Sequence, residues 1–250
     1  MDTIRDKLRK LEEDEDITIL YAVESGSRAW GHHNKNSDYD IRFIYKYNSI
    51  NRYLTINSQN DVIESNDGLY DIVGWDIKKA LHLHYKSNPN LREWILSPIK
   101  YIPMKEDIFI NLPEFDKEVL KHHYYGLTKR HYRKYIMKSE KTDIKLFKKL
   151  LYTIRCILAF TKLDEDIFPS MNMDDLIEEN TLDKSLEEKI IKLRDAYSQL
   201  DKSLISDDEV EFLTCWVVNS LEYMQNHLFN PHNNKDIDMY NRRFQEIILE

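Results

Sequence analysis

Cysteine is nearly absent from this chain: two in 250 residues, Cys156 and Cys215. Both fall in predicted helices among apolar neighbours and read as buried thiols. A disulfide framework and a cysteine metal site are therefore excluded. The nine histidines do not restore a zinc site. His32-His33 and His122-His123 are adjacent pairs, not the i,i+4 pair of a helical metal site. No run of eighteen apolar residues occurs, so no helical membrane span is expected. The first residues, MDTIRDKLRKLEEDEDITIL, lack an apolar signal core and are too acidic for a transit peptide. The expectation is a cytoplasmic protein. Repeats and low-complexity linkers are also missing. What remains is 42% hydrophobic and 32% charged, a globular composition long enough for one large domain or two modest ones.

The net charge of -8 argues against a general nucleic-acid binder, but the average hides a dipole. Residues 121 to 162 hold twelve Lys or Arg against two acids. Residues 163 to 212 hold sixteen acids against five Lys or Arg. Charge separated in this way is a local signal even when the total is not.

The pattern along the chain changes once. Residues 3 to 13 read as a helix, then ITILYAVE (17 to 24) and YDIRFIYKY (39 to 47) as strands. NDVIESNDG is extended and then turns, LYDIVG (69 to 74) is a third strand, and a helix covers 75 to 86 with Asp76 placed to cap it. LREWILS forms another short helix, with Asn88 as its cap. Beyond about residue 112, strands give way to helical patterns near 114 to 138, 143 to 161, 183 to 200, 207 to 228 and 237 to 249. A short helix lies within 168 to 180. The fold class is α+β: a small domain of strands and helices over 1–112 and a helical domain over 113–250, the latter a candidate for substrate binding.

One stretch carries chemistry: ESGSRAWGHHNKNSDYDIRFIY, residues 24 to 45. On the second strand Asp38, Asp40, Arg42 and Ile44 share one face, and Tyr39, Ile41, Phe43 and Tyr45 the other. Two carboxylates on one face, roughly 6–7 Å apart at Cβ, repel unless a cation lies between them. Two oxygen-ligand sites about 4 Å apart are what two-metal phosphoryl or nucleotidyl transfer requires. The turn before them, Gly26-Ser27, offers backbone N–H groups, a hydroxyl and a helix start to phosphate oxygens. A third acid, Asp71, sits within an apolar strand, where it needs a partner or a metal. In an antiparallel arrangement beside the second strand it would face the pair. Asp76 is its competitor. An exposed hairpin entrance and an ordinary turn would also account for DYD and GS taken singly.

Gly26-Ser27, then Asp38-Tyr39-Asp40, then an aspartate on a later strand, resembles the signature of the DNA polymerase beta-type nucleotidyltransferase superfamily. ESGSRAWG, SDYDIRFIY, DIVGWDIKKAL and SNPNLREWILSPI resemble one branch more closely, the bacterial and viral predicted nucleotidyltransferases linked with RNA repair. HYRKYI, LLYTIRCILA and FPSMNMDDLI extend the likeness, so it covers roughly residues 18 to 180. The resemblance implies a nucleotidyltransferase palm, two Mg²⁺ ions and a nucleoside triphosphate such as ATP. It places Gly26 and Ser27 in the triphosphate-binding turn and Asp38 and Asp40 as the metal-binding pair. Asp71 matches the third acid less securely. The acceptor is not implied: an RNA end, a small molecule or a protein side chain all fit. A non-catalytic nucleotide-binding or regulatory protein would show as loss of one acid, and here all three are present.

Residues around the motif carry two readings each. Arg28 could reach a phosphate; Trp30 could stack on a base or anchor its loop. Lys79 matches a lysine of the family-like block and would point back toward a triphosphate. Tyr152 and Arg155 stand three apart in an apolar helix, where the arginine needs a partner; a bound triphosphate or the acidic half of the chain would serve. Arg130, Arg133 and Lys134, interleaved with tyrosines, suit RNA phosphates and stacked bases. They equally suit the solvated face of an amphipathic helix.

Overall fold

The structure, a computed structural model, describes residues 2–56, 60–104, 107–139, 142–231 and 234–250. The chain divides into two compact units, and the division is not a single cut. One unit comprises Met1–Ala29, Asp38–Phe115 and Asn233–Glu250; the other comprises Trp30–Ser37 and Asp116–His232. The limits of 1–112 and 113–250 read from the sequence leave out both exchanges. The loop at 30–37 belongs with the helices, and the last helix belongs with the sheet.

The first unit is built on a five-stranded mixed sheet. Helix α1 (Asp2–Glu15) leads into β1 (Ile17–Ser25), a one-turn helix α2 (Gly26–Ala29) and β2 (Tyr39–Tyr47). Strands β3 (Val62–Asn66) and β4 (Tyr70–Asp76) follow, then α3 (Ile77–Tyr85), α4 (Pro89–Leu96) and a short β5 (Lys100–Ile102). The order is β3-β4-β2-β1-β5. β1 is antiparallel to β2 and β5, β3 is antiparallel to β4, and β2 is parallel to β4.

Alternation sorts β2 as its sequence implies. Ile41, Phe43, Tyr45 and Tyr47 enter one core with Ile4 and Leu8 of α1, while Ile44 enters the opposite core with α3 and α4. β1 changes face midway: Ile17 and Ile19 join the first core and Tyr21 and Val23 the second. The register slips between Ile19 and Tyr21, and such a bulge is what moves a side chain to the other face. The second core is completed by Tyr240 and Ile247 of the last helix, Ile237–Leu249.

Two features differ from the sequence reading. β5 was not anticipated; three residues give no readable period. β4 runs parallel to β2 rather than antiparallel. The cause lies in the β3–β4 hairpin. β3 (VIESN) exposes its last three residues, whereas β4 buries Ile72 and Gly74 and half-buries Val73 and Trp75. The polar strand takes the sheet edge, the apolar one lies beside β2, and that order fixes the parallel direction.

The second unit is helical: α5 (Lys117–His131), α6 (Ile144–Asp164), α7 (Met173–Glu179), α8 (Lys184–Gln199) and α9 (Asp207–Asn226); the last helix of the chain is α10. α6 is the central element, in contact with the other four. The helix expected over 114 to 138 ends earlier and closes in a wider turn over Tyr132–Ile136. Helices start where the sequence supplies an oxygen acceptor: Asp76, Asn88, Asp116, Asp143 and Ser206 each accept from a first-turn N–H, as good N-caps do. Cys156 is buried, but Cys215 is exposed on α9, contrary to the expectation of two buried thiols.

The tightest packing in the sheet is at Gly74, where a Cβ would lie 2.1 Å from the Phe43 ring. Phe43 is fully buried and has no room to retreat. Gly74→Ala is expected to destabilise the protein by about 1–3 kcal/mol through overpacking. Chemical denaturation followed by circular dichroism measures this; an unchanged midpoint would mean the ring relaxes freely.

Candidate active site

The motif gathers at one end of the sheet, where β1 ends and β2 and β4 begin. β1 runs to Ser25, paired with Asp40, and the chain turns at Gly26 with φ +61°. That left-handed conformation suits glycine, and space demands it as well. A Cβ at Gly26 would sit 2.1 Å from Asp40 Oδ2. The turn and the carboxylate are therefore in contact. Ser27 is buried behind the turn, and Arg28 folds back over the strand entrance. Its Nε donates to the Asp38 carbonyl at 2.9 Å, and its guanidinium lies 3.8 Å from the Tyr39 ring centre. Arg28 thus fixes the backbone that presents Asp38, whose side chain is exposed.

Because β2 and β4 run parallel and in register, Asp40 lies directly beside Asp71. Between them is Arg42. Its Nη2 donates to Asp40 Oδ1 at 2.9 Å and to Asp71 Oδ2 at 2.7 Å. Asn66 Nδ2 donates to Asp71 Oδ1 at 3.3 Å. Asp71 is thus brought beside Asp40, by a different strand direction from the one expected.

Glu24 is the site residue that sequence reasoning passed over. It is 1% exposed on β1, and it accepts from the backbone N–H of Asp40 at 2.8 Å and from the hydroxyl of Tyr101 on β5. Ser97 Oγ donates to its carbonyl at 2.5 Å. A glutamate at the end of an apolar strand looks like the start of a loop, and its partner Tyr101 is far away in sequence. A buried acid aimed at the next strand leaves no local pattern.

Comparison with known proteins decides the lineage. Residues 1–246 match the RlaP family, described as the RNA repair pathway DNA polymerase beta family. The chain belongs to this family. It is 37% identical over 194 residues to the uncharacterized protein YcgL of Bacillus subtilis (strain 168), covering 74% of this chain and 73% of that protein. A crystal structure of a nucleotidyltransferase-like protein from Exiguobacterium sibiricum 255-15 aligns over 88% of this chain and 74% of the other at 11% identity. Its TM-score is 0.34, too low to bear on the fold. RlaP membership makes this a nucleotidyltransferase-type protein with a mixed-sheet palm and a helix-rich remainder.

Other residues singled out in this RlaP chain lie elsewhere. Asp76 is buried at the far end of β4 and caps α3: its Oδ1 accepts from Lys78 N–H at 2.8 Å and its Oδ2 from Tyr53 at 2.7 Å. Five residues of strand, about 16 Å, separate it from Asp71. Lys79 is at that end too, paired with Asp61 at 3.0 Å. The structure does not bring Lys79 to the acids. It lines a separate cavity of about 470 Å³ with Arg52, Tyr53 and Phe244.

Within the helical unit, Tyr152 and Arg155 meet Trp30. The Arg155 guanidinium is 4.1 Å from the Trp30 ring centre, and Tyr152 packs edge-on to Trp30 while stacking on His131. Trp30 is buried and its carbonyl accepts from Met173 N–H at 2.9 Å, so it anchors its loop. His32, buried beside it, has its pKa pushed down to about 3, first by burial and then by Arg155. Arg130, Arg133 and Lys134 are exposed on α5 and the turn after it. Lys121 and Lys162, from the same basic segment, are buried and ion-paired with Asp164 and Glu165 respectively, so part of the local charge excess is internal.

Among the described residues no three His, Cys, Asp or Glu side chains lie close enough to hold a metal ion. The donor set is nonetheless suited in kind to Mg²⁺: carboxylate oxygens alone, which hard divalent cations prefer. Arg42 demonstrates that the space between Asp40 and Asp71 accepts a cation. The residues fit such an ion once the guanidinium yields.

Burial raises the Glu24 carboxyl above its ordinary value. Such a group stabilises the fold in its protonated form. The contribution is complete below about pH 4.5 and is lost as pH rises through the folded value. Glu24→Gln removes this titration while keeping an acceptor for Asp40 N–H. The melting temperature of the variant relative to wild type is expected to become more favourable as pH rises above about 4.5. Parallel thermal scans across pH check this, and a pH-independent difference would contradict it.

Proposed function

We propose that this RlaP protein is an Mg²⁺-dependent nucleotidyltransferase that transfers a nucleoside monophosphate from a nucleoside triphosphate to an acceptor hydroxyl. What supports this above all is the in-register pairing of Asp40 with Asp71 beside the Gly26 turn. It brings the Gly26 turn and two acids to one sheet end, with Asp38 at the entrance of the same strand.

In this reading Asp38, Asp40 and Asp71 would hold two Mg²⁺ ions, which supply charge neutralisation of the triphosphate and lower the pKa of the attacking hydroxyl. The backbone N–H groups of the Gly26-Ser27 turn and the Ser27 hydroxyl bind the β- and γ-phosphates. Asp71 accepts the proton of the acceptor hydroxyl. The acceptor oxygen forms a bond to the α-phosphorus, the bond from that phosphorus to the bridging oxygen of the β-phosphate breaks, and pyrophosphate leaves with the electron pair. Glu24 and Arg42 keep the two strand ends in register. The sheet unit is the catalytic part and the helical unit the part that carries the acceptor.

The acceptor we favour is an RNA end. The family description names an RNA repair pathway, and Arg130, Arg133 and Lys134 project exposed cations from one helix end. Nucleotidylation of a small molecule or protein is the second reading. The exposed cations favour the first reading, because a small acceptor needs no row of exposed positive charge.

Asp38→Asn and Asp40→Asn are each expected to lower transfer by at least about a hundredfold, since metal-held charge is worth several kcal/mol in such transition states. Labelled ATP, CTP, GTP and UTP, with and without short RNAs, give the assay, and near-wild-type turnover by either variant would end the metal mechanism. The RNA reading has its own test. Arg130→Glu with Arg133→Glu should weaken binding to RNA of every sequence and leave triphosphate binding unchanged. The salt slope for wild type should be about -0.7 per phosphate contact. Anisotropy with labelled RNA at two salt concentrations measures both; equal binding by the double variant would remove RNA as the acceptor.

A further inference from the structure

Asp40 and Asp71, side by side at one sheet end, need positive charge nearby, and the protein carries some of its own. Arg42 reaches across from β2 to β4. Its Nη2 bridges Asp40 Oδ1 and Asp71 Oδ2 at 2.9 and 2.7 Å. Its Nη1 donates to the carbonyls of Asp71 and Ile41 at 2.8 and 3.1 Å. Four contacts hold the guanidinium in one plane and one place. The Arg42 side chain is 16% exposed, against 23% for Asp40 and 31% for Asp71, so water screens these pairs less than it does surface ion pairs. A fork-shaped cation that contacts both strands' carboxylates and both strands' backbones is more specific than a neutralising surface charge.

A divalent cation that bridged Asp40 and Asp71 would need the oxygens that Arg42 now occupies. We infer that Arg42 is the built-in counter-cation of the acid cluster, a positioning residue that sets its affinity for divalent cations by competing for Asp40 Oδ1 and Asp71 Oδ2. The inference rests on the reading of Asp38, Asp40 and Asp71 as cation ligands. It goes further, in stating that the cluster is poised without metal and that metal entry displaces an internal cation. The chain thereby keeps its strand ends in register when no metal is present, and it gives up metal affinity to do so.

The direction of the effect follows from charge. Removing one positive charge within a few ångströms of a divalent ion strengthens that ion's binding by about tenfold or more, even at an effective dielectric near that of water. The competing oxygens are released at the same time. Arg42→Lys retains the charge but not the fork, so it should stay closer to wild type than a neutral replacement.

The test uses the full chain freed of metal by EDTA and dialysis, with Mn²⁺ as the probe. Loss of the free Mn²⁺ electron paramagnetic resonance signal gives binding, and melting curves with and without Mg²⁺ give stabilisation. Arg42→Met should bind Mn²⁺ at least about tenfold more tightly than wild type. It should melt lower than wild type without metal, and gain about 2–4 °C more from saturating Mg²⁺. If its far-UV circular dichroism departs from wild type, Arg42→Gln is measured in its place by the same criteria. Equal or weaker Mn²⁺ binding by the neutral variant, with binding abolished by Asp40→Asn, would overturn the competition and leave the acids as cation ligands. Absence of Mn²⁺ binding in both wild type and the neutral variant would overturn both.

Discussion

Asp40 is held from three directions, and the end of the sheet is arranged around it. Its backbone N–H is taken by Glu24 on one neighbouring strand, its Oδ1 by Arg42 beside the other, and its Oδ2 faces a glycine that cannot be anything larger. Each of these partners is itself constrained. Glu24 is closed off by Tyr101 and Ser97, and Arg42 is shared with Asp71. A carboxylate in partial burial is costly unless its oxygens are satisfied. The arrangement therefore links three strands and a turn through one residue and its neighbour Arg42.

Much of this was legible in residue order. The period of two along YDIRFIYKY separates Asp40 and Arg42 from Ile41, Phe43 and Tyr45, although the acid face is itself covered further along, where Ile44 enters the second core. The distinction between Asp71 and Asp76 follows from position: one lies inside a strand, the other immediately before a helix, where its side chain reaches the Lys78 N–H. The helices of the second unit declare themselves by their caps. Strand direction was not legible, since it depends on which of β3 and β4 takes the edge. Nor was the assignment of α10, whose apolar face would suit any core. The same holds for Arg155: an arginine in an apolar helix demands a partner, but its sequence does not say that the partner is Trp30.

Lys79 shows how far a motif can carry. It stands in a segment that resembles its relatives, yet its ammonium pairs with Asp61 at the opposite end of the strands from the acids. Sequence blocks preserve order along the chain, while a site requires the same end of a sheet. The basic segment teaches a similar lesson through burial. Lys121 and Lys162 count toward its charge but are consumed by internal ion pairs, so what a polyanion could meet is the exposed remainder.

The exchange of segments between the two units bears on how the chain is made. The loop that joins the Gly26 turn to Asp38 belongs to the helical unit, and the sheet unit takes its last helix from beyond that unit. During synthesis on a ribosome, the strands emerge first, and the apolar face later covered by Tyr240 and Ile247 stays open while the segment Asp116–His232 is added. Exposed apolar surface on an unfinished sheet invites aggregation or a chaperone. The second core of the sheet unit is therefore complete only once α10 has been made.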